Sequence, residues 1–369
     1  MEIVPLTRDR YKEWDAFCLE SDDAWFWHTT EWLEYTLNYK PELRSQSFSF
    51  MLINNGRIEV ICPLLLEIHE RYNKEVREFS FGGSPGLIPA LKKGMSEKIR
   101  TNRFKEIFNH IDGLAEKNEV LRTSFRFSPL APVFQSSETP SYNYLMRFGY
   151  IPISLNTQII DLSKSLEELW GDIRHGHEYH INQGFKEMEV EIFDKETINR
   201  KVFDEYQHLH HKAAGRITRP QITFDLMFNW ILNGQAILVG AKLAGGFIGF
   251  SYIFIYKGGA YYGSASSDPD YEKRPMGHIL TWMTIKWLKE HGCRYYEIGY
   301  QQYHPLPYDL ASGKEINISA FKRGFGGFTV PLFIGEKYYS KDYYLKINLD
   351  RVKGYANYLE KDKNMCFVE

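Results

Sequence analysis

Apolar residues in the second half of this chain fall into blocks. Ala236 to Leu243, Phe247 to Tyr256 and Ala260 to Ser266 are short runs parted by Ala244-Gly245-Gly246 and Lys257-Gly258-Gly259. Short apolar runs bounded by glycine turns predict a three-strand meander, because glycine supplies the positive φ of a tight hairpin. The period then changes: Leu280, Met283 and Trp287 recur at helical spacing in a run from about Met276 to His291, which Gly292 stops. Arg294 to Ile298 reads as the next strand.

The first half is less regular. Thr29 or Thr30 is placed to cap a helix carrying Trp32, Leu33 and Tyr35. Strand runs at Ser47 to Ile53 and Arg57 to Ile68 meet through Asn54-Asn55-Gly56, a hairpin signal. The glycine-rich stretch Ser80 to Leu87 predicts a turn rather than a phosphate cradle, since no Lys-Ser/Thr pair follows it. Phe104 to Asn118 reads as a helix, Asn156 to Leu162 as a strand, and Ser165 to Lys186 as helical again, with Ser165 as N-cap ahead of Glu167 and Glu168. A length of 369 residues exceeds what one core usually supports. A boundary near Leu162 gives an N-terminal domain of 1–161 and a C-terminal domain of 162–369, the latter ending in a helical extension.

Composition narrows the partners. A formal charge of −2 gives no overall attraction to nucleic acid. Aromatic residues at 16% serve both cores and sugar- or base-binding grooves. The N-terminal residues lack a signal-peptide pattern, and the longest apolar stretch, Ala236 to Tyr256, is broken by Lys242 and four glycines, so no membrane span is expected. Cys18, Cys62, Cys293 and Cys366 are scattered without disulfide or metal spacing, which fits a cytoplasmic location. His175, His177 and His180, with His208, His210 and His211, do not form the i, i+4 zinc pair. They are expected at the surface or against substrate, and no metal is expected. No nucleophile elbow surrounds any Ser or Cys.

Candidate chemistry concentrates late in the chain, at Ile318-Ser319-Ala320-Phe321-Lys322-Arg323-Gly324-Phe325-Gly326-Gly327. Cations beside three glycines suit close approach to phosphate or a developing oxyanion. Upstream stand Tyr261-Tyr262-Gly263-Ser264-Ala265-Ser266, then Trp282 to Trp287, then Gly292 to Gly299 with Glu297. That ordered series resembles the Fem family, the peptidoglycan-bridge aminoacyltransferases and their acetyltransferase-like relatives. The resemblance is good from about Gln235 to Phe333 and looser from Leu162 to Ile192.

The resemblance implies an α+β fold of tandem GNAT-like domains, mixed sheets flanked by helices. It also implies an N-acyltransferase that modifies an amino group on a cell-envelope sugar or peptide precursor. In GNAT folds the strand before the main helix splays from the strand after it and exposes N–H groups to the acyl carbonyl. Here that pair is Ala260 to Ser266 and Arg294 to Ile298. The acyl-CoA turn of the superfamily maps onto Arg274-Pro275-Met276-Gly277-His278-Ile279, where Ile279 stands in place of a small residue and Pro275 removes a donor.

Arg274, Met276, Gly277, His278 and Arg323 are therefore the donor-binding candidates. Acyl-CoA and aminoacyl-tRNA both stay open as co-substrate, with tRNA a possible partner and no tightly bound cofactor. By position in the Fem pattern, Phe321 and Lys322 belong to the reaction centre, with Tyr262 as cleft neighbour. Glu297, His304 and Glu315 are the candidate bases for deprotonating the amine. The acceptor is expected between the domains, against Trp25, Trp27 or Trp32 on one side and Tyr303 and His304 on the other. Where Fem relatives carry a basic run in the linker helix, this chain has Glu178, Asn182 and Gln183. The rival reading is a non-catalytic glycan- or peptide-binding module that kept the fold. Oligomeric state is not written in the sequence.

Overall fold

The computed structural model describes residues 1–135 and 142–361. Cys366 lies outside them. In chain order the elements are β1 (Glu2–Pro5), α1 (Tyr11–Glu20), α2 (Thr30–Tyr39), β2 (Gln46–Ser47), β3 (Phe50–Asn54), β4 (Arg57–Cys62), β5 (Leu65–Arg71), β6 (Lys74–Phe79), β7 (Gly86–Leu87), β8 (Ala90–Leu91), α3 (Glu97–Lys117) and β9 (Arg122–Arg126). They continue with β10 (Ile151–Asp161), α4 (Leu166–Gly171), α5 (His175–Glu187), β11 (Glu189–Phe193), α6 (Arg200–Ala214), α7 (Gln221–Leu232), β12 (Ala236–Leu243), β13 (Gly246–Tyr256), β14 (Gly259–Ser267), α8 (Met276–Glu290), β15 (Tyr295–Tyr300), α9 (Gly313–Arg323), β16 (Phe328–Tyr338) and α10 (Lys341–Lys361).

The meander is β12, β13 and β14, and its hairpins use the turns expected. Ala244 and Gly245, and again Lys257 and Gly258, hold positive φ. Residues alternate along β12: Ala236 and Leu238 pack with α6 and α7, whereas Ile237, Val239 and Ala241 pack with α5 and α8. Both faces of the strand are thus buried, which is why it reads as an unbroken apolar run.

Among the described residues one large sheet runs β11-β12-β13-β14-β15-β10-β16-β9-β6-β5-β2, with β7 beside β9, and a smaller one runs β1-β3-β4-β8. The large sheet joins the two halves of the chain. Strand β10 lies between β15 and β16, and β16 continues onto β9. Helix α10 follows β16 onto the first half, where Tyr343 and Ile347 pack with Val76. Arg351 and Arg122 both grip Glu336, and Arg122 also holds Glu78. A third core lies under α3, around Phe104, Ile107, Phe108 and Ile111.

Several boundaries differ from expectation. Helix α3 starts earlier, at Glu97. The run expected from Arg57 to Ile68 divides at Pro63 into β4 and β5, which belong to different sheets. The helix expected from Ser165 is two: α4, closed by a Ser165–Glu168 capping box, and α5. The break between them leaves the Arg174 N–H free to donate to the Gly324 carbonyl. In the Ser80–Leu87 turn the N–H groups of Gly82 and Gly83 donate to the Glu67 carboxylate, so they are committed to the protein itself.

Candidate active site

Strands β14 and β15 run parallel only where Gly259, Ala260 and Tyr261 meet Tyr295, Tyr296 and Glu297. Beyond that point they diverge, while the other edge of β15 stays paired with β10 along the strand. Each diverging strand carries a bulge. The β13–β14 register slips between Tyr252 and Ile253 and leaves Gly263 unpaired; the β10–β15 register slips between Gln158 and Ile159 and leaves Ile298 unpaired. Gly299, at φ 109°, follows directly. The expected splay is therefore present, and N–H groups along its edge are left without a strand partner.

Lys322 reaches this mouth from the last turn of α9. A side chain at Gly299 would come within 2.7 Å of Nζ, and the ammonium stands 5.6 Å from the Tyr262 ring centre. Burial pulls the Lys322 pKa below the ordinary lysine value, opposed by the nearby charge of Glu297. Tyr296 and Ile298 belong to the core beneath α8, so Glu297 between them faces the other way. It is 3% exposed and accepts a hydrogen bond of 2.8 Å from Thr157 Oγ1. Burial pushes its carboxyl up to about 7, against the Thr157 hydrogen bond and the charges of Arg126 and Lys322.

The structure separates the remaining candidates. Phe321 packs over Gly277 and against His177, His278 and Phe325. His278 is pushed down to about 3 by burial and by its neighbours His177, His180 and Arg174. Met276 is a core side chain beneath Gly249 of β13, and Arg274 is tied to Glu187 at 2.6 Å. Arg323 lies over the Tyr303 ring at 4.3 Å and donates to Gln301.

Glu315 stands at the N-terminus of α9. It accepts from the N–H and hydroxyl of Ser312 as the third residue of a capping box, and these bonds hold its pKa low. His304 is exposed on the loop after β15. The glycines after Arg323 serve the chain rather than a ligand: side chains there would strike His177 at 324, Asp172 at 326 and the Ile159 carbonyl at 327. Nor are the histidines all at the surface. His177 is buried, and His210 faces Arg219.

A cavity of about 250 Å³ opens on the other side of the splay, between the two halves of the chain. Trp27, Trp32, Tyr35 and Tyr39 line it from the first half, and Tyr261, Gly263, Ser264 and Tyr300 from the splayed strands. Trp25 is not part of it; its ring is in the core and its indole N–H donates to the Tyr256 carbonyl. Tyr303 and His304 do not line it either.

Two arginines absent from the expected set do. Arg126 donates to Tyr300 Oη at 3.2 Å, and Arg219 donates to Tyr35 Oη at 2.8 Å while lying over Phe224. The Nε of each is buried without a partner. Among the described residues neither has a carboxylate at ion-pair distance. Neither sits in a recognisable motif: Arg126 ends the mostly polar strand Arg122–Arg126, and Arg219 lies in the short loop between α6 and α7.

The family model of the acetyltransferase (GNAT) domain matches residues 178–308, the stretch that builds the meander, α8 and the splay. This segment is similar to a GNAT acetyltransferase domain. The structure of FemX matches with 13% identity, covering 94% of this chain and all of that one at a TM-score of 0.63. The C-terminal domain of a protein assigned as a lysylphosphatidylglycerol synthetase in Agrobacterium fabrum matches at 12% identity and TM-score 0.58, covering 93% and 95%. L-PGS from Bacillus licheniformis matches at 15% identity and TM-score 0.54, covering 88% and 96%. At such identities the likeness is one of fold, and it runs along both halves of the chain. The sequence matches none of the curated proteins compared. Among the described residues no His, Cys, Asp or Glu cluster is arranged to hold a metal ion, and no helix is long and apolar enough to cross a membrane.

Proposed function

We propose that this GNAT protein transfers an aminoacyl group from aminoacyl-tRNA to an amine on an anionic cell-envelope precursor, a glycan or a peptide. The observation that carries the reading is the cavity: two arginines without a carboxylate at ion-pair distance, set among aromatic faces, opening onto the splayed strands. Aromatic faces cover the C–H surface of a sugar or peptide, and buried guanidinium groups without counter-ions recognise carboxylate or phosphate. GNAT domains generally use acyl-CoA. Here Arg274 is engaged by Glu187 and Ile279 packs tightly against Gly184, which supports an aminoacyl ester as the donor.

The chemistry follows from the positions. The acceptor ammonium gives a proton to Glu297, directly or through a water, and the amine attacks the acyl carbonyl. N–H groups on the splayed strands and the Lys322 ammonium stabilise the oxyanion. Collapse breaks the ester bond, forms the amide and releases the tRNA 3′ or 2′ oxygen, which takes up a proton. Single-turnover assays with acyl-CoA and with aminoacyl-tRNA, against UDP-linked amino sugars and muramyl peptides, test the reading. Transfer from acyl-CoA alone would replace the donor, and no transfer from either would remove the enzyme.

A further inference from the structure

His177 is the buried member of the histidine-rich linker helix, 3% exposed between α5, α8 and the end of α9. Its Nε2 is 2.8 Å from the carbonyl oxygen of Phe321, and its Nδ1 is 3.3 Å from a terminal nitrogen of Arg174. A guanidinium can only donate, so Nδ1 must accept and Nε2 must carry the hydrogen given to Phe321. The neighbours thereby select one neutral tautomer.

The carbonyl it meets is one that helix geometry leaves under-bonded, in the last turn of α9. Phe321 O accepts from the Gly324 N–H at 3.1 Å and takes its second hydrogen bond from His177. Two further bonds hold the segment that follows, from the Arg174 N–H to Gly324 O at 2.9 Å and from Gln158 Nε2 to Gly326 O at 2.7 Å. The imidazole also fills the space that any side chain at 324 would take. Its ring packs edge-on against His278 and Phe325 and tilted against Phe321, so it is fixed in orientation as well as place.

We infer that His177 is a positioning residue for acyl transfer: as the neutral Nε2–H tautomer it clamps the last turn of α9 and so holds Lys322, one residue on, over Gly299 and Tyr262. The inference rests on the reading of Lys322 as a group at the reaction centre. A displacement of about 1 Å at such a group can cost roughly a hundredfold in rate. Loss of the clamp should therefore appear in the chemical step and leave substrate binding nearly unchanged.

The full-length protein labelled with ¹⁵N-histidine should show His177 protonated at Nε2 and bare at Nδ1 near neutral pH. The opposite tautomer, or a charged ring, overturns the clamp. His177→Leu, confirmed folded by circular dichroism, should lower the single-turnover rate by about 30- to 100-fold with KM values within about twofold, and speed amide exchange at residues 322–326. His177→Gln, which keeps a donor near the Nε2 position, should recover most of the rate and of the protection. A folded Leu variant with unaltered exchange overturns the proposal, as does one with an unaltered rate where Lys322→Ala is inactive. If Lys322→Ala itself leaves the rate intact, the reaction-centre reading falls, while the tautomer and the exchange data still decide whether the clamp exists.

Discussion

The two faces of the splayed strands are built on opposite plans. Under α8 and α9 the rings of His177, His278, Phe321 and Phe325 interlock, and Lys322 is desolvated at a fixed place beside Gly299. Across the strands a cavity keeps Arg126 and Arg219 among aromatic walls without a carboxylate at ion-pair distance. A single cation locked into a packed face suits charge that develops during a reaction. Two cations beside open volume suit charge that arrives with a ligand. Glu297 lies between them, close enough to feel both Lys322 and Arg126.

The division is broken most directly at Lys322. Lys322→Ala should lower kcat by about 10²- to 10³-fold, or about 2.7–4 kcal/mol, with the acceptor KM little changed. Rapid-quench measurement at saturating donor gives the number; a rate within threefold of the parent would place the chemistry elsewhere. On the other face, Arg219→Gln should raise the acceptor KM by about 10- to 100-fold and spare kcat, the range for a lost charge-assisted hydrogen bond. Should kcat fall instead while KM stays constant, the cavity is not where the acceptor sits.

Glu297 sharpens the comparison through pH. Its carboxyl is raised to about 7 by burial, so as the base it must lose a proton through that pH, and kcat should climb between pH 6 and 8 on account of this group. The sign for stability is the reverse. A pKa raised in the folded state favours the protonated acid, so the contribution is complete below the unfolded value, 4.5, and is lost as pH rises through about 7. Glu297→Gln should therefore be inactive yet more stable than the parent at pH 8, by roughly 1–3 kcal/mol, and nearly equal to it at pH 4. Urea denaturation at the two pH values checks this, and equal gains at both would contradict a raised carboxyl.

The two faces also differed in how far the sequence disclosed them. The packed face grows from β14, α8 and β15, whose turns and periods are local signals, so its strands and helix were legible, whereas its splay and the place of Lys322 were indicated by the family resemblance alone. The cavity depends on contacts between distant segments. Arg126 ends a five-residue strand, and Arg219 sits before Pro220 between α6 and α7, two helices that no local signal had marked. Trp25 and Trp27 illustrate the limit: two residues apart in one aromatic cluster, one is core and the other wall.

Strand β16 escaped for another reason. Pro331 and Gly335 argue against a central strand. Pro331 nonetheless falls before Ile334, where β9 joins, so one edge of β16 is still open at the proline. The glycines at 324, 326 and 327 were visible as a need for close approach, but only the fold reveals that the partners are His177, Asp172 and β10.

The smallest effect discriminates two roles for a carboxylate near the same helix. Glu315 closes the N-terminus of α9 through Ser312, and Lys322 lies seven residues further on, roughly 10 Å along the axis at 1.5 Å per residue. A base at Glu315 would make Glu315→Ala lose the chemical step, whereas a cap predicts a loss of about 0.5–1 kcal/mol of stability with the rate within twofold. Ser312→Ala should cost a similar amount, and the double variant should lose less than the sum, because each single change already opens the same reciprocal pair. Thermal melts of the three variants beside single-turnover rates decide it. A rate loss in Glu315→Ala that Ser312→Ala does not share would return Glu315 to the chemistry and make the division between the two faces less clean.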